Sequence, residues 1–265
     1  MTPREWSLVK RLIVLVVLTA LFPLAALGYR LVFNADLLSQ VQPNMPPVIY
    51  TLIPGSSDAA PLSTLTPTPV VIVVPSGWNQ YALADQNFAI ALPAKWQRLP
   101  VDPQELAASL QTIRQSNPEL ATVLGERGPQ LMSSGVKFWA FDLDPDSLKG
   151  KFATNLTITH QTLPNQVSFD AYVLVNVNQI DQLATKQGAV NQQRTTLGNL
   201  PAEKIQYNLL VQASDGTALT SAITQYLVLN GEDAYVLTYA TRAEQLDQYS
   251  TTFDTSAATF RLLAP

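Results

Sequence analysis

The chain has 265 residues and a formal net charge of −4, with 47% apolar residues, 14% charged residues and no cysteine. This composition argues against intrinsic disorder, and the lack of cysteine excludes disulfides, thiolate metal sites, cysteine nucleophiles and anchoring through an acylated cysteine. From Tyr81 onward, 12 Lys and Arg face 17 Asp and Glu without a basic cluster, so we expect no nucleic-acid partner.

The first predicted element is a membrane segment. Leu12–Gly28 is a run of 17 residues without charge, and residues 29–33 extend it. Three basic residues precede the run: Arg4, Lys10 and Arg11. Positive charge stays on the cytoplasmic side, so we expect residues 12–33 to contact the lipid bilayer as a single transmembrane helix, with the N-terminus inside and the rest of the chain outside. The alternative is a signal peptide that is cleaved near Gly28, which would leave a secreted protein.

A proline-rich linker follows the membrane segment. Residues 42–78 contain eight of the nineteen prolines and one charged residue, Asp58. Proline interrupts helices and favours extended chain, so this stretch is predicted to be a stalk. The chain is therefore divided into an N-terminal anchor or signal segment at 1–41, a linker at 42–78 and a folded domain at 79–265.

One run inside the linker has the composition of a β-strand rather than that of a spacer. It consists of Val70, Val71, Ile72, Val73 and Val74, between Pro69 and Pro75. Left in water, such a run presents apolar side chains and unpaired backbone groups together. We expect it to be an edge strand, either on the domain's own sheet or on a partner, and these five residues are the predicted partner-binding residues.

The domain itself has a pattern of strands and helices that predicts an α+β fold. Strands are predicted at 88–92, 136–143, 155–163, 205–212, 219–229 and 234–240. Helices are predicted to begin at Asp102, at Asn117, after the cap Ser168 and at a capping box, Thr241–Glu244. Consecutive strands joined by short turns pair antiparallel, so we expect an antiparallel β-sheet flanked by helices.

Two groups of residues are candidates for chemistry, and for both we expect a structural role. Asp142, Asp144 and Asp146 alternate as at the start of a calcium loop, but Ser147 stands where such a loop needs glycine and Ala153 where it needs glutamate. His160, the only histidine, is in phase with Leu156 and Ile158 and is expected at the edge of the core. We therefore expect no catalytic residue, no cofactor and no metal site. The three aspartates are the only residues whose spacing makes them weak candidates for metal ligands.

Short motifs across residues 81–263 resemble the PsbP-like, DcrB-like and LpqN-like exported proteins. The motifs are Phe88-x-Ile90-x-x-Pro93-x-x-Trp96, Gly198-Asn-Leu-Pro201-Ala202, Tyr235–Thr241 and Tyr249…Phe253…Phe260. The resemblance implies an α-β-α sandwich. Members of this family in oxygenic phototrophs are extrinsic subunits of photosystem II, and many bacterial relatives are anchored or exported proteins of unknown role. The matching positions are packing and turn positions, so the resemblance implies no site residue.

Together these features predict a non-enzymatic binding or accessory module, tethered outside the cytoplasmic membrane. It would dock on a membrane protein complex or on a component of the cell envelope. Two alternatives stay open at this point: a carrier of a small apolar ligand, and a hydrolase with an unrecognised site.

Overall fold

The computed structural model describes residues 73–263, except for positions within 117–134 and 145–151, residue 164 and residues 213–216. The predicted membrane segment at 12–33, the linker up to residue 72, Asp146 and most of the helix predicted after Asn117 lie outside the described residues. Among the helices that are described, none combines the length and the apolar character that a membrane span requires.

The described residues form ten β-strands and three α-helices. The strands are β1 (Trp78–Leu83), β2 (Phe88–Pro93), β3 (Trp96–Leu99), β4 (Val136–Asp142), β5 (Asn155–Thr162), β6 (Lys186–Leu197), β7 (Leu200–Gln212), β8 (Ala218–Asn230), β9 (Asp233–Arg242) and β10 (Arg261–Leu262). The helices are α1 (Pro103–Ser116), α2 (Phe169–Asp181) and α3 (Leu246–Ala258). The first strand begins one residue before the predicted start of the domain.

The strands make two antiparallel sheets. A large sheet has seven strands in the order β3-β4-β5-β9-β8-β7-β6, and a small sheet has three in the order β1-β2-β10. Alternate side chains of a strand point to opposite faces. One face of the large sheet packs under α1 and α2, and the other packs under α3 and the small sheet. The predicted antiparallel α+β architecture is confirmed, and the layer on the second face combines a helix with a small sheet.

The face under α3 holds the aromatic core. Phe88, Trp96, Phe138, Tyr239 and Phe253 are all fully or almost fully buried there. The rings of Tyr239 and Phe253 stack at 4.8 Å, and the ring of Trp96 meets that of Phe253 edge-on at 6.4 Å. Tyr249, Phe253 and Ala257 form the buried stripe of α3, as their spacing in the sequence predicts.

Buried hydrogen bonds fasten the end of α3 to both sheets. The Ser256 hydroxyl donates to the carbonyl of Ala91 on β2 at 2.9 Å, and the Ala91 N–H donates to Thr259 Oγ1 at 2.8 Å. On the large sheet, the Tyr239 hydroxyl donates to Ser256 Oγ at 2.8 Å. These three bonds join the small sheet to the large one through a single turn of helix, and this fixes the distance between the two sheets.

The helix starts differ in how well the sequence predicted them. Asp102 Oδ1 accepts from the N–H groups of Gln104 and Glu105, and Ser168 Oγ accepts from the N–H of Ala171, so both predicted N-caps are confirmed. The predicted capping box at Thr241 is wrong. Thr241 lies inside β9 with its hydroxyl turned into the sheet interior, so a 3₁₀ turn at Ala243–Gln245 leads into α3 instead.

The last two residues of the valine-rich run, Val73 and Val74, precede a turn that leads into β1. The Trp78 N–H donates to the Pro75 carbonyl at 3.2 Å, and Gly77 has φ +77°, as at the third position of a type II turn. Val73 and Val74 lie in no strand, and Val73 is 77% exposed. Val70, Val71 and Ile72 lie outside the described residues, and pairing of the run with a partner stays a prediction.

Candidate functional site

A buried polar cluster lies on the face of the large sheet that α3 covers. It consists of five buried residues and one half-exposed lysine: Asp142 at the end of β4, Thr154 just before β5, Thr241 in β9, Tyr249 in α3, Ser147, and Lys95. We call it the Asp142 cluster. Because β4, β5 and β9 are neighbours in the sheet, the adjacent ends of these strands bring the first three residues together. Lys95 reaches the cluster from the turn between β2 and β3.

The Asp142 carboxylate is fully buried and has three polar neighbours. The Tyr249 hydroxyl donates to Oδ2 at 2.7 Å, and the N–H of Asp144 donates to Oδ1 at 3.0 Å. The ammonium of Lys95 lies 3.4 Å from Oδ2. A buried carboxylate is tolerated only when it is hydrogen-bonded and paired with a cation. These contacts meet that requirement, and they also occupy both oxygens.

The hydroxyl groups of the cluster are bonded to one another. The Thr154 N–H donates to Ser147 Oγ at 3.3 Å, and the hydroxyls of Thr154 and Thr241 lie 2.8 Å apart. The Thr154 carbonyl accepts from the N–H of Asp142 at 2.9 Å. Ser147, Thr154 and Thr241 have no exposed surface. The cluster is thus a closed network that joins three strand ends to α3.

The electrostatics of the cluster suit a structural role. Burial raises the pKa of the Tyr249 hydroxyl, and the hydrogen bond from it to Asp142 raises this pKa further. Burial alone would lower the pKa of Lys95, but the nearby negative charges, chiefly that of Asp142, outweigh it and raise the pKa above 10.5. Near neutral pH, Tyr249 is therefore neutral and Lys95 is charged. An acid–base catalyst needs a group that titrates close to the working pH.

The predicted metal candidates are placed as counterions of a lysine. Asp144 Oδ2 lies 3.5 Å from the Lys95 ammonium, so Asp142 and Asp144 converge on one cation that belongs to the chain itself. Asp146, the third candidate, lies outside the described residues. Within the part of the chain that the structure describes, no three histidine, aspartate or glutamate side chains are grouped so as to hold a metal ion.

His160 lies at the other end of the same sheet face. Its ring stacks on Tyr235 at 4.4 Å and 6°, and Nε2 lies 3.1 Å from Asp233 Oδ1. The Thr162 hydroxyl donates to the same oxygen at 2.9 Å. His160 is five residues along β5 from Asn155, which pairs with the neighbour of Asp142, so the two sites are roughly 17 Å apart. They cannot form a single catalytic group.

The sequence did not predict β6, which is the longest open edge among the described strands. β6 runs for 12 residues and pairs with β7 on one side, and no described strand lies on its other side. A bulge between Gln187 and Asn191 interrupts its first half, and Gly188 has φ +69° there. From Asn191 to Leu197 the pairing with β7 is continuous. Most side chains of this second half are exposed on both faces.

Comparisons with known proteins yield structural matches alone. No protein-family model and no curated protein sequence matches the chain. Cyanobacterial PsbP from Synechocystis sp. PCC 6803 is one similar structure, with 13% identity, a TM-score of 0.43, and alignment over 72% of this chain and 95% of its own.

Two further solved structures show likenesses of the same size. LpqN of Mycobacterium tuberculosis, described as involved in cell envelope biogenesis, has 10% identity, a TM-score of 0.41, and alignment over 67% of this chain and 83% of its own. A Pseudomonas aeruginosa protein of unknown function has 10% identity, a TM-score of 0.38, and alignment over 71% and 96%. Of the three names that the sequence motifs suggested, PsbP and LpqN are among the matched structures. Likenesses of this size carry no information on function.

Proposed function

We propose that the chain is a non-enzymatic accessory module that is held outside the cytoplasmic membrane by residues 12–33. Its folded domain docks on a membrane protein complex or on a component of the cell envelope. The tether is supported by the uncharged run Leu12–Gly28 with basic residues before it, and by eight prolines in residues 42–78. The strand that opens the folded domain begins at Trp78, the last residue of this stretch.

The observation that carries the non-enzymatic part is the state of the two groups best suited to acid–base chemistry. Asp142 has no exposed surface and is bonded to Tyr249, to the Asp144 N–H and to Lys95. His160 is stacked on Tyr235 and bonded to Asp233. A catalytic group has to reach a substrate atom within hydrogen-bond distance. The burial of Asp142 and the stacking of His160 on Tyr235 support a structural role for the two groups.

The topology is tested by adding protease to intact spheroplasts that contain the full chain. Extended proline-rich chain is more accessible to a protease than a packed domain. We therefore expect cleavage within residues 42–78 and release of a protease-resistant fragment that begins near Trp78. The matched control is the same digestion after detergent lysis, which should give the same fragment. Protection of the chain until lysis would reverse the topology, and full-length mature protein that starts near Tyr29 in the soluble fraction would show a cleaved signal.

A further inference from the structure

The free edges of the two sheets differ in how open they are to another strand. β3 is four residues long, β10 is two and β1 is six, whereas β6 is twelve. A free edge exposes unpaired N–H and C=O groups, and natural proteins protect such edges with bulges, proline, charge or a covering element. The first half of β6 has one of these devices, the bulge at Gly188.

Apart from one charge, the second half, Asn191–Leu197, has none of these devices among the residues that the structure describes. Its seven residues pair with β7 without interruption, and they include no proline. The single charge, Arg194, is drawn onto the face that α2 covers, where it contacts Glu203 at 3.1 Å, Asp170 and the ring of Phe169. The other side chains of the segment are amides, hydroxyls and one leucine. Seven residues exceed the mean length of a strand in a sheet.

We infer that Asn191–Leu197 receives an extended segment of a partner polypeptide as an eighth strand of the large sheet. Only a polypeptide backbone offers donors and acceptors at the spacing of a strand edge, so the ligand class is an extended peptide rather than a lipid or a glycan. The backbone supplies the affinity, and the exposed side chains on the two faces of β6 supply the specificity. This inference rests on the proposed function, and it names where the docking takes place.

The charge of Arg194 indicates that the partner is a different protein rather than a second copy of this chain. Two copies that pair antiparallel through the middle of Asn191–Leu197 would set Arg194 opposite Arg194. Like charges directly opposite on neighbouring strands destabilise the pair. A partner strand with a neutral or acidic residue at that position is complementary to the edge.

The inference is tested in the full chain in its native membrane with a photo-cross-linking amino acid. It is introduced one position at a time at Asn191, Gln193 and Thr195, which share one face of β6. We expect the adducts, mapped by mass spectrometry, to fall in one continuous segment of one partner. The cross-linked residue should move by about two positions for each two-residue step along β6, in a constant direction, because paired strands keep register.

Two control positions separate this inference from the proposed function. The same amino acid at Gln97 on the β3 edge and at Thr251 on α3, both exposed, should give no such series. Three results would overturn the inference and leave the docking function intact. The adducts from β6 could scatter over unrelated segments, they could join two copies of this chain, or β6 could give no adduct while Gln97 or Thr251 does. No partner adduct from any position, together with a native mass of the single chain, would overturn both.

Discussion

Replacing Asp142 with alanine is expected to lower the free energy of unfolding by about 3 kcal/mol. The change leaves the buried Tyr249 hydroxyl without its acceptor and removes the group that fixes the end of β4. Lys95 is half exposed and can return to water, so its loss of a partner adds little. The measurement is urea unfolding of the full chain in detergent, followed through the fluorescence of the buried Trp96 and Trp139.

Two variants give the comparison for Asp142. Asp144→Ala removes the other carboxylate near Lys95, but this side chain is 38% exposed, so we expect a loss of less than about 1 kcal/mol. Tyr249→Phe removes one donor to the buried carboxylate and should cost roughly 1 to 2 kcal/mol. If Asp142→Ala costs no more than Asp144→Ala, the Asp142 cluster does not stabilise the fold as described, and Asp142 becomes a candidate for another role.

At alkaline pH the domain is expected to unfold cooperatively and to ionise its buried tyrosines in the same transition. Burial is the largest cause of a raised pKa at six of them, and the pKa of Tyr235 reaches about 12. The other five are Tyr172, Tyr207, Tyr226, Tyr239 and Tyr249. In the unfolded chain these hydroxyls ionise near pH 10, whereas the folded state keeps them protonated. The stability that they contribute is therefore complete below about pH 10 and is lost as the pH rises further.

The loss of folding stability per pH unit is large, so unfolding at alkaline pH should be steep. Each tyrosine that is ionised in the unfolded state alone removes about 1.4 kcal/mol of stability per pH unit, so the six together remove about 8 kcal/mol per unit. Small domains have a total stability of about 5 to 15 kcal/mol. Unfolding should thus be complete within one to two pH units above about pH 10.

Tyrosinate absorbance and far-ultraviolet circular dichroism, recorded in one titration, check this prediction. Tyr207→Phe is the matched control because the Tyr207 hydroxyl is buried without a hydrogen-bond partner among the described residues. The variant should be as stable as the parent at neutral pH, and it should unfold at higher pH because one ionisable group is gone. Ionisation of most tyrosines well before loss of the circular dichroism signal would contradict the packing of the aromatic core.

Much of the fold could be predicted because the relevant signals are local. The N-caps Asp102 and Ser168 are two or three residues from the N–H groups they bind. The stripe of α3 follows from burial on one face, and the long apolar run of β8 follows from burial on both faces of the sheet. β6 could not be predicted in this way, because polar residues on both of its faces leave no alternation to detect.

The Asp142 cluster could not be predicted from the sequence, and the reason differs from that for β6. The sequence shows Asp142 only as a member of an alternating acidic run, whereas its buried carboxylate is bonded to Tyr249, which lies 107 residues further along the chain. Lys95, the cation that Asp142 and Asp144 share, is also distant in sequence, 49 residues before Asp144. The capping box at Thr241 shows the converse error, since the local pattern is present while the hydroxyl is bonded across the sheet to Thr154. Contacts of this kind become visible only when the strand order is known.

The docking function is tested most directly by the native mass of the full chain, extracted from its own membrane with a mild detergent. The chain alone has a mass of 28.9 kDa. We predict that most of it migrates in a complex much larger than one chain with its detergent, and that the partner is a membrane or envelope protein present in constant ratio. Migration of the chain alone, under conditions that keep other membrane complexes of the same cells intact, would contradict the proposed function.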